Sequence, residues 1–261
     1  MLIHNGFVGL DYTDIEYNFL KEDSEQDFLD NCKKMSEDWI FRHKKITYKF
    51  NENGHRCKSI SDIDFNNYIL FAGCSHTVGV GMQLEDTFPY LVSKILNCSY
   101  YNLAVGGCGV DVLQHNISVW LTRYKKPKFL VLQWPDWTRF LWLESNEKNL
   151  TPVGSWTNHR KLKEFIILGE NYNYFLTRQY LAYQLAMSFN IPLINIVLGS
   201  LKASEHIDSK IVIQLLDRAR DLTHYGVKTH SNAAISILDQ YQLLSDKYSN
   251  ATVNSITRGQ I

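Results

Sequence analysis

Short, continuous apolar runs recur along the chain from residue 68 onward. They cover residues 68–72, 100–104, 129–134 and 192–198. Runs of four to eight apolar residues are typical of strands that are buried on both faces of a parallel sheet. The pattern therefore predicts four parallel strands.

The segments between these runs predict helices. We expect them over residues 85–96, 110–124, 174–189 and 229–247, with a further helix at 209–218. Strands that alternate with helices favour a doubly wound α/β domain. Because such sheets bind ligands beyond the carboxyl ends of their strands, the residues that follow each strand are the first candidates for a site.

Residues 1–66 differ from the rest, with acidic and basic residues in alternation and few long apolar runs. They predict a helix at 23–39 and a short strand at 46–50, packed on the main domain. Residues 135–172 show no clean period and predict an insertion beside the site. The predicted parts are an N-terminal extension (1–66), a main domain (67–248, with the insertion at 135–172) and a loose tail (249–261).

Charge and cysteine content narrow the function classes. The chain has 261 residues, 27 Lys+Arg and 27 Asp+Glu, and a formal net charge of zero. This balance gives no reason to expect nucleic acid or an anionic membrane as a partner. No C-x-x-C pair, signal peptide or apolar run of about 20 residues is present, which predicts reduced thiols and a cytoplasmic location. The frequent Asn, Lys and aromatic residues leave a viral origin open.

The most informative segment is F-A-G-C-S-H-T-V-G-V-G at residues 71–81. Gly73 allows a sharp turn off the strand, which would expose the Ser75 hydroxyl beside a backbone N–H group. The segment is not a G-x-S-x-G elbow, because Thr77 stands at the second glycine position, and it lacks the G-K-[ST] of a P-loop. The alternative is an ordinary glycine-rich turn with Ser75 as a helix N-cap.

A second segment supplies the partners that a serine nucleophile needs. Asp221 and His224 are three residues apart, so one short loop can present both side chains. The carboxylate would orient the imidazole, and the imidazole would take the serine proton. The alternative is a local cap or a surface pair.

In combination, the two segments resemble the SGNH/GDSL hydrolase family, over roughly residues 68–245. Residues 73–81 resemble the family's nucleophile block, and residues 221–224 resemble its Asp-x-x-His block. Residues 102–109 resemble its second block, with Gly107 at the oxyanion-hole position. The resemblance implies a three-layer α/β/α flavodoxin-like fold and ester hydrolysis without a cofactor or metal. It implies that Ser75 is the nucleophile, that His224 shuttles the proton and that Asp221 orients His224. The backbone N–H groups of Ser75 and Gly107 would form the oxyanion hole.

One block departs from the family pattern. The family has Gly-x-Asn-Asp after the third strand, and its Asn donates to the oxyanion, whereas the strand here continues L-Q-W-P-D-W-T-R. Asp136 accepts hydrogen bonds when it is ionised and cannot replace that donor. Gln133, the indole of Trp134 and Arg139 are the open alternatives.

These observations predict a serine esterase that acts on a small-molecule or glycan ester, with a preference for a carbohydrate acyl ester. Two alternatives stay open, namely a catalytically impaired module that binds a glycan or a protein, and an acyltransferase. His76 is expected to line the pocket or its wall, and His230 to begin the last helix. An aromatic cluster forms either a sugar-stacking platform or part of the core, and it consists of Trp134, Trp137, Phe140 and Trp142.

Overall fold

The computed structural model describes residues 1–12, 16–143, 150–158, 164, 170–199, 207 and 210–258. The strands are β1 (Leu2–His4), β2 (Phe7–Gly9), β3 (Glu16–Tyr17), β4 (Tyr48–Lys49), β5 (Tyr68–Ala72), β6 (Ser99–Asn102), β7 (Leu130–Gln133), β8 (Phe140–Leu143), β9 (Leu150–Val153), β10 (Leu193–Leu198) and β11 (Lys210–Ile213). The α-helices are α1 (Glu25–Lys34), α2 (Ser75–Val78), α3 (Phe88–Ile95), α4 (Val110–Arg123), α5 (Glu170–Ser188) and α6 (Val227–Arg258).

Five strands form the central sheet, in the order β11-β10-β7-β5-β6. Every neighbouring pair in this sheet is parallel. Numbered along the chain, the order is 5-4-3-1-2, which is the flavodoxin-like order read from the other edge. The strand order reverses between β5 and β7, and ligands bind at such a switch point, beyond the carboxyl ends of the strands.

The sheet is covered on both faces, because successive side chains of each strand point to opposite sides. Leu70 and Ala72 of β5 pack with side chains of α4 and α5. Ile69 and Phe71 pack with side chains of α3 and α6. Each such buried side chain contributes roughly 1.5–3 kcal/mol relative to an exposed one. The three-layer α/β/α architecture that the sequence predicted is confirmed.

Residues before β5 pack against the end of the sheet where the chain leaves β5. Phe41, Tyr48 and Phe50 form a buried cluster together with Val78 and Val80, which lie just after α2 begins. The β1–β2 hairpin is attached separately, because Asn116 of α4 pairs with both backbone groups of Val8 at 2.9 and 2.8 Å. The division into an extension and a main domain stays a prediction.

Two expectations for the C-terminal part are wrong. Residues 210–213 form strand β11, not a helix, because the β-branched K-I-V-I segment pairs along the edge of β10. The last helix runs to Arg258, past residue 249 where a loose tail was expected, since no Gly or Pro interrupts residues 227–258. The four strands that the apolar runs predicted are β5, β6, β7 and β10, and each lies within two residues of its predicted bounds at both ends.

The insertion contains one hairpin, in which β8 and β9 pair antiparallel. Most of its other residues, and residues 200–206, lie outside the described part of the chain. Within the described residues, no helix combines the length and the hydropathy needed to cross a bilayer.

Candidate active site

Ser75 lies where β5 gives way to α2. It is the first residue of α2, and the N-cap position belongs to Cys74, so the interpretation of Ser75 as a helix N-cap is wrong. Ser75 is only 4% exposed. The first N–H groups of a helix have no partner within the helix, so the Ser75 N–H is available for another acceptor.

A glycine after this helix brings the second motif into contact with the first. Gly81 has φ +78°, and a Cβ atom there would lie 2.7 Å from Ala219 Cβ. Its carbonyl accepts a hydrogen bond from the Arg220 N–H at 3.1 Å. Only glycine allows this conformation and this close approach, so residue 81 sets how closely the Asp221 loop packs on the Ser75 turn.

Asp221 and His224 form a hydrogen-bonded pair. One carboxylate oxygen, Oδ2, pairs with Nδ1 of His224. The other, Oδ1, accepts from the backbone N–H groups of His224 at 3.0 Å and Thr223 at 3.1 Å. The loop turns back through Leu222, which has φ +56°. Because Nδ1 is occupied, the Nε2 atom of His224 is the ring nitrogen left for proton transfer.

His76 connects the two motifs. Its ring lies 4.9 Å from the His224 ring and 4.6 Å from the Tyr225 ring, between centroids. Its Nδ1 accepts a hydrogen bond from the Tyr225 N–H at 3.4 Å. Burial, followed by the neighbouring His224, holds the pKa of His76 well below the ordinary histidine value, so the ring is neutral at pH 7. The residue next to Ser75 therefore packs directly on the expected base.

The second block of the motif set also reaches the serine. A Cβ atom on Gly106 would lie 4.0 Å from Ser75 Cβ, and Gly107 has φ +72°. Among the hydrogen bonds between backbone groups of described residues, none uses the Gly107 N–H. Asn102, at the end of β6, donates to the Thr77 carbonyl at 2.9 Å and so ties this block to α2.

Gln133, Trp134 and Arg139 are the alternatives for the oxyanion-donating Asn that this chain lacks, and their hydrogen-bond partners differ. The Gln133 amide donates to the Trp134 carbonyl at 2.6 Å, while its oxygen accepts from the Cys74 N–H at 2.9 Å. The Trp134 indole donates to Asn195 Oδ1 at 3.3 Å. Nε and Nη1 of Arg139 are buried and have no hydrogen-bond partner among the described residues. Of the three, Arg139 is the one with two buried donor atoms that have no partner among the described residues.

A cleft of about 430 Å³ opens beside this site. We call it the His76 cleft, and its walls come from the residues that follow β5, β7, β10 and β11, together with the Asp221 loop. It lies on the side of the sheet where the switch point predicts a ligand. Side chains that line it include those of Cys74, His76, Asp136, Arg139, Arg218 and Tyr225.

A buried ion pair from the N-terminal residues supports the Asp221 loop. Arg220, next to Asp221, donates from Nε at 3.0 Å and from Nη2 at 2.6 Å to the two carboxylate oxygens of Asp23. Tyr48 also donates to Asp23, and the Tyr48 hydroxyl accepts from the Gly81 N–H at 2.7 Å. Burial and the Asp23 charge raise the pKa of Tyr48, which keeps it a donor at neutral pH. No sequence motif links Asp23, Tyr48 and Arg220, so this set of contacts was not predicted from the sequence.

Arg56 supports the nucleophile turn in a similar way. Its guanidinium donates to the carbonyls of Gly79 at 2.6 Å and Met82 at 2.8 Å, and it stacks on the Tyr48 ring at 4.4 Å. Although burial lowers the pKa of Arg56, an arginine stays protonated in proteins. The charged guanidinium thus fixes the backbone between Gly79 and Met82, and no sequence motif marks this contact.

The remaining candidates have structural positions. His230 is the fourth residue of α6, and its Nδ1 accepts from the Phe88 N–H at 3.1 Å, so it caps α3. Trp134 and Phe140 are buried, whereas Trp142 is 44% exposed, so the aromatic cluster is divided between core and surface. All five cysteines are free thiols. The described residues contain no group of three or more side chains arranged as metal ligands.

No protein-family model matches the sequence, and no curated protein is similar to it. Several solved structures align with part of the chain. An acetyl xylan esterase from the rumen bacterium Butyrivibrio proteoclasticus aligns with a TM-score of 0.41 and 15% identity over 70% of this chain, which spans 64% of that protein. A carbohydrate esterase aligns with a TM-score of 0.44 and 16% sequence identity, over 67% of this chain and 68% of its own chain. TesA aligns with a TM-score of 0.44 and 10% sequence identity, over 68% of this chain and 99% of its own chain.

Proposed function

We propose that the protein is a serine esterase with Ser75 as nucleophile, His224 as base and Asp221 as the residue that orients His224. The observation that carries the proposal is the contact between the two motifs. An Asp–His pair, joined through Nδ1 of the imidazole, packs on the turn that holds a buried serine at the carboxyl end of β5. An Asp–His pair that only stabilised the surface would not need to pack against the Ser75 turn, where Gly81 permits the close approach.

The mechanism follows from these positions. Ser75 Oγ forms a bond to the ester carbonyl carbon as its proton passes to His224 Nε2. The oxyanion accepts hydrogen bonds from the Ser75 and Gly107 N–H groups, each worth about 100- to 1,000-fold in rate. The alcohol leaves with the proton from His224, and a water molecule then hydrolyses the acyl-enzyme by the same steps. Asp221 stabilises the imidazolium in both halves of the reaction.

The substrate we favour is a carbohydrate acyl ester. Trp142 and Trp156 of the insertion are 44% and 49% exposed, and exposed indoles offer flat faces for sugar rings. Gly107, a proposed oxyanion donor, lies against the same hairpin, since a Cβ there would be 3.5 Å from Pro152 of β9. Trp142 therefore belongs to the hairpin that borders the proposed oxyanion hole, and Trp156 follows that hairpin by three residues.

Covalent labelling tests the proposal. Wild type and Ser75→Ala are incubated with a fluorophosphonate probe, and intact masses are read. We expect one adduct on the wild type and none on Ser75→Ala, because only a serine activated by a base reacts at a useful rate. Ser236→Ala is the matched control, since Ser236 lies half-buried on α6, outside the candidate site, and its hydroxyl donates to the Asn232 carbonyl at 3.1 Å.

The absence of an adduct on folded wild type would overturn the esterase proposal. The chain would then be a binding module that keeps the fold and the Asp–His pair without an activated serine. An adduct that persists in Ser75→Ala would place the reactive serine elsewhere. Adduct formation with acyl transfer to an added sugar, in place of hydrolysis, would identify an acyltransferase.

A further inference from the structure

Arg139 is an arginine with buried, unused donors. It follows β7, in a turn where its N–H donates to the Asp136 carbonyl at 3.1 Å. Its Nε and Nη1 are shielded from solvent and bond to no described residue. A guanidinium is always charged, and burying an ionised donor without a partner is costly. Arg139 as a whole is only partly buried and lines the His76 cleft, so an anion in the cleft can approach its guanidinium group.

The charges around the cleft favour an anion. Arg218 also lines the cleft, exposed, and it donates to the Thr223 carbonyl. Asp136 is the acidic residue of the lining, and its Oδ1 is engaged by the Thr138 N–H and hydroxyl at 2.8 and 2.6 Å. Among the described residues of the lining, two guanidinium groups and one carboxylate give a net positive charge.

The same two arginines act on the residue next to the proposed nucleophile. Burial and the neighbouring His224 and His230 are the main causes that lower the pKa of His76, and the positive charges of Arg139 and Arg218 lower it further. Arg139 also lies over the Trp156 ring, 5.2 Å from its centroid. This stacking holds the guanidinium of a cleft residue beside an aromatic ring.

We propose that the His76 cleft binds an anionic group of the substrate, a carboxylate or a phosphate, with Arg139 as the residue that recognises it. This inference rests on the proposed function only in that the group belongs to an ester cleaved at Ser75. Arg139 is then a specificity residue, and it provides the planar, bidentate donor that suits both kinds of anion.

Binding of small anions tests the inference without requiring an activated serine. Inorganic phosphate and D-glucuronate are titrated calorimetrically into the protein, with D-glucose as the uncharged control. We expect wild type to bind at least one anion more tightly than glucose, and the anion that binds identifies the class. Arg139→Met should weaken that binding about 10- to 100-fold, the loss that corresponds to a hydrogen bond with a charged partner.

Three variants separate recognition from folding. Arg139→Lys should recover only part of the binding, because it keeps the charge and loses the fork. Arg218→Met, at an exposed position, should weaken binding only about two- to fivefold. Arg123→Met is the matched control, since Arg123 lies exposed at the end of α4, outside the cleft, and should bind as wild type does.

Equal binding by wild type and Arg139→Met, or binding of neither anion, would overturn the inference even if Ser75 is labelled. The bound anion should also slow fluorophosphonate labelling of Ser75 in wild type, and not in Arg139→Met, compared with chloride at equal ionic strength. Labelling that the bound anion leaves unchanged would show that the cleft is no part of the substrate site. Failure to label at all would count against the esterase proposal alone.

Discussion

Asp221 uses both carboxylate oxygens to hold the loop and the imidazole together. Oδ1 fixes two backbone N–H groups and so the turn, while Oδ2 fixes the orientation of the His224 ring. Asparagine in place of Asp221 could keep one set of bonds, but its NH₂ group cannot accept from a protonated Nδ1. The preferred tautomer of His224 would then change, which removes the base that faces the serine.

We expect Asp221→Asn to lower kcat for an activated acetyl ester by about 1,000- to 10,000-fold with little change in KM. Steady-state kinetics of the purified variant measure both constants. Asp217→Asn provides the control, because Asp217 also bonds to backbone N–H groups, those of Lys228 at 3.0 Å and Thr229 at 2.9 Å, without contacting His224. A similar loss in both variants would show that the carboxylates act through loop stability alone.

At the scale of elements, the site is formed by loops that support one another. The Ser75 turn, the Asp221 loop and the segment around Tyr48 meet at Gly81, where two hydrogen bonds converge on one residue. The Asp23–Arg220 pair lies behind them, fully buried. A buried ion pair contributes little net free energy, but removal of one partner leaves an uncompensated charge.

We therefore expect Asp23→Asn to lower the free energy of unfolding by about 3–5 kcal/mol and to slow labelling of Ser75 in the fraction that stays folded. Urea unfolding monitored by tryptophan fluorescence gives the first quantity. The double variant Asp23→Asn, Arg220→Met should recover part of the loss, because it removes the unpaired guanidinium. Asp30→Asn, which breaks the exposed pair with Lys33, should have a much smaller effect.

Elements with a strong local pattern could be predicted from the sequence. Strand β5 begins and ends where the apolar run predicted, because Gly73 terminates it and the run has no polar interruption. Helix α3 begins three residues later than expected, since a 3₁₀ turn at Leu84–Asp86 precedes it and Pro89 occupies its first turn. Residues 210–213 are too short and too apolar for periodicity to distinguish a strand from a helix.

The support of the candidate site could not be predicted in this way. Asp23 and Arg220 are 197 positions apart, and neither occurs in a recognisable motif. Arg56 binds the nucleophile turn through backbone carbonyls, and such contacts leave no trace in residue type. Sequence reasoning identified Ser75, Asp221 and His224 because their chemistry is local, and their catalytic roles stay predictions.

For the molecule as a whole, buried neutral histidines link stability to pH. His55 is fully buried between the Tyr101 hydroxyl at 3.1 Å and the Val8 carbonyl at 3.2 Å, and burial lowers its pKa to about 4. Burial also lowers the pKa of His230 to about 3. In the unfolded chain a histidine has a pKa of about 6.5, so the unfolded state binds more protons below that pH.

Each of these histidines therefore contributes stability that is fully present above about pH 6.5 and is lost as the pH falls towards its folded pKa. The free energy of unfolding should fall by about 1.4 kcal/mol per pH unit for each of them below about pH 6. Urea unfolding at pH 7, 6 and 5 measures this slope. His55→Gln should flatten it, and the exposed His115→Gln should not; an unchanged slope in His55→Gln would contradict the assignment.

The pairing of Asp23 with Arg220 also has a consequence for how the chain acquires its structure. During synthesis Asp23 emerges long before Arg220, which follows it by 197 residues. Until then the segment around Tyr48 must either leave a carboxylate in water or bury it unpaired, and the first is cheaper. The N-terminal residues therefore cannot pack stably until the last strand and the loop that follows it have been synthesised. A ribosome-bound chain that ends before Arg220 should accordingly be readily cut by protease within residues 16–58.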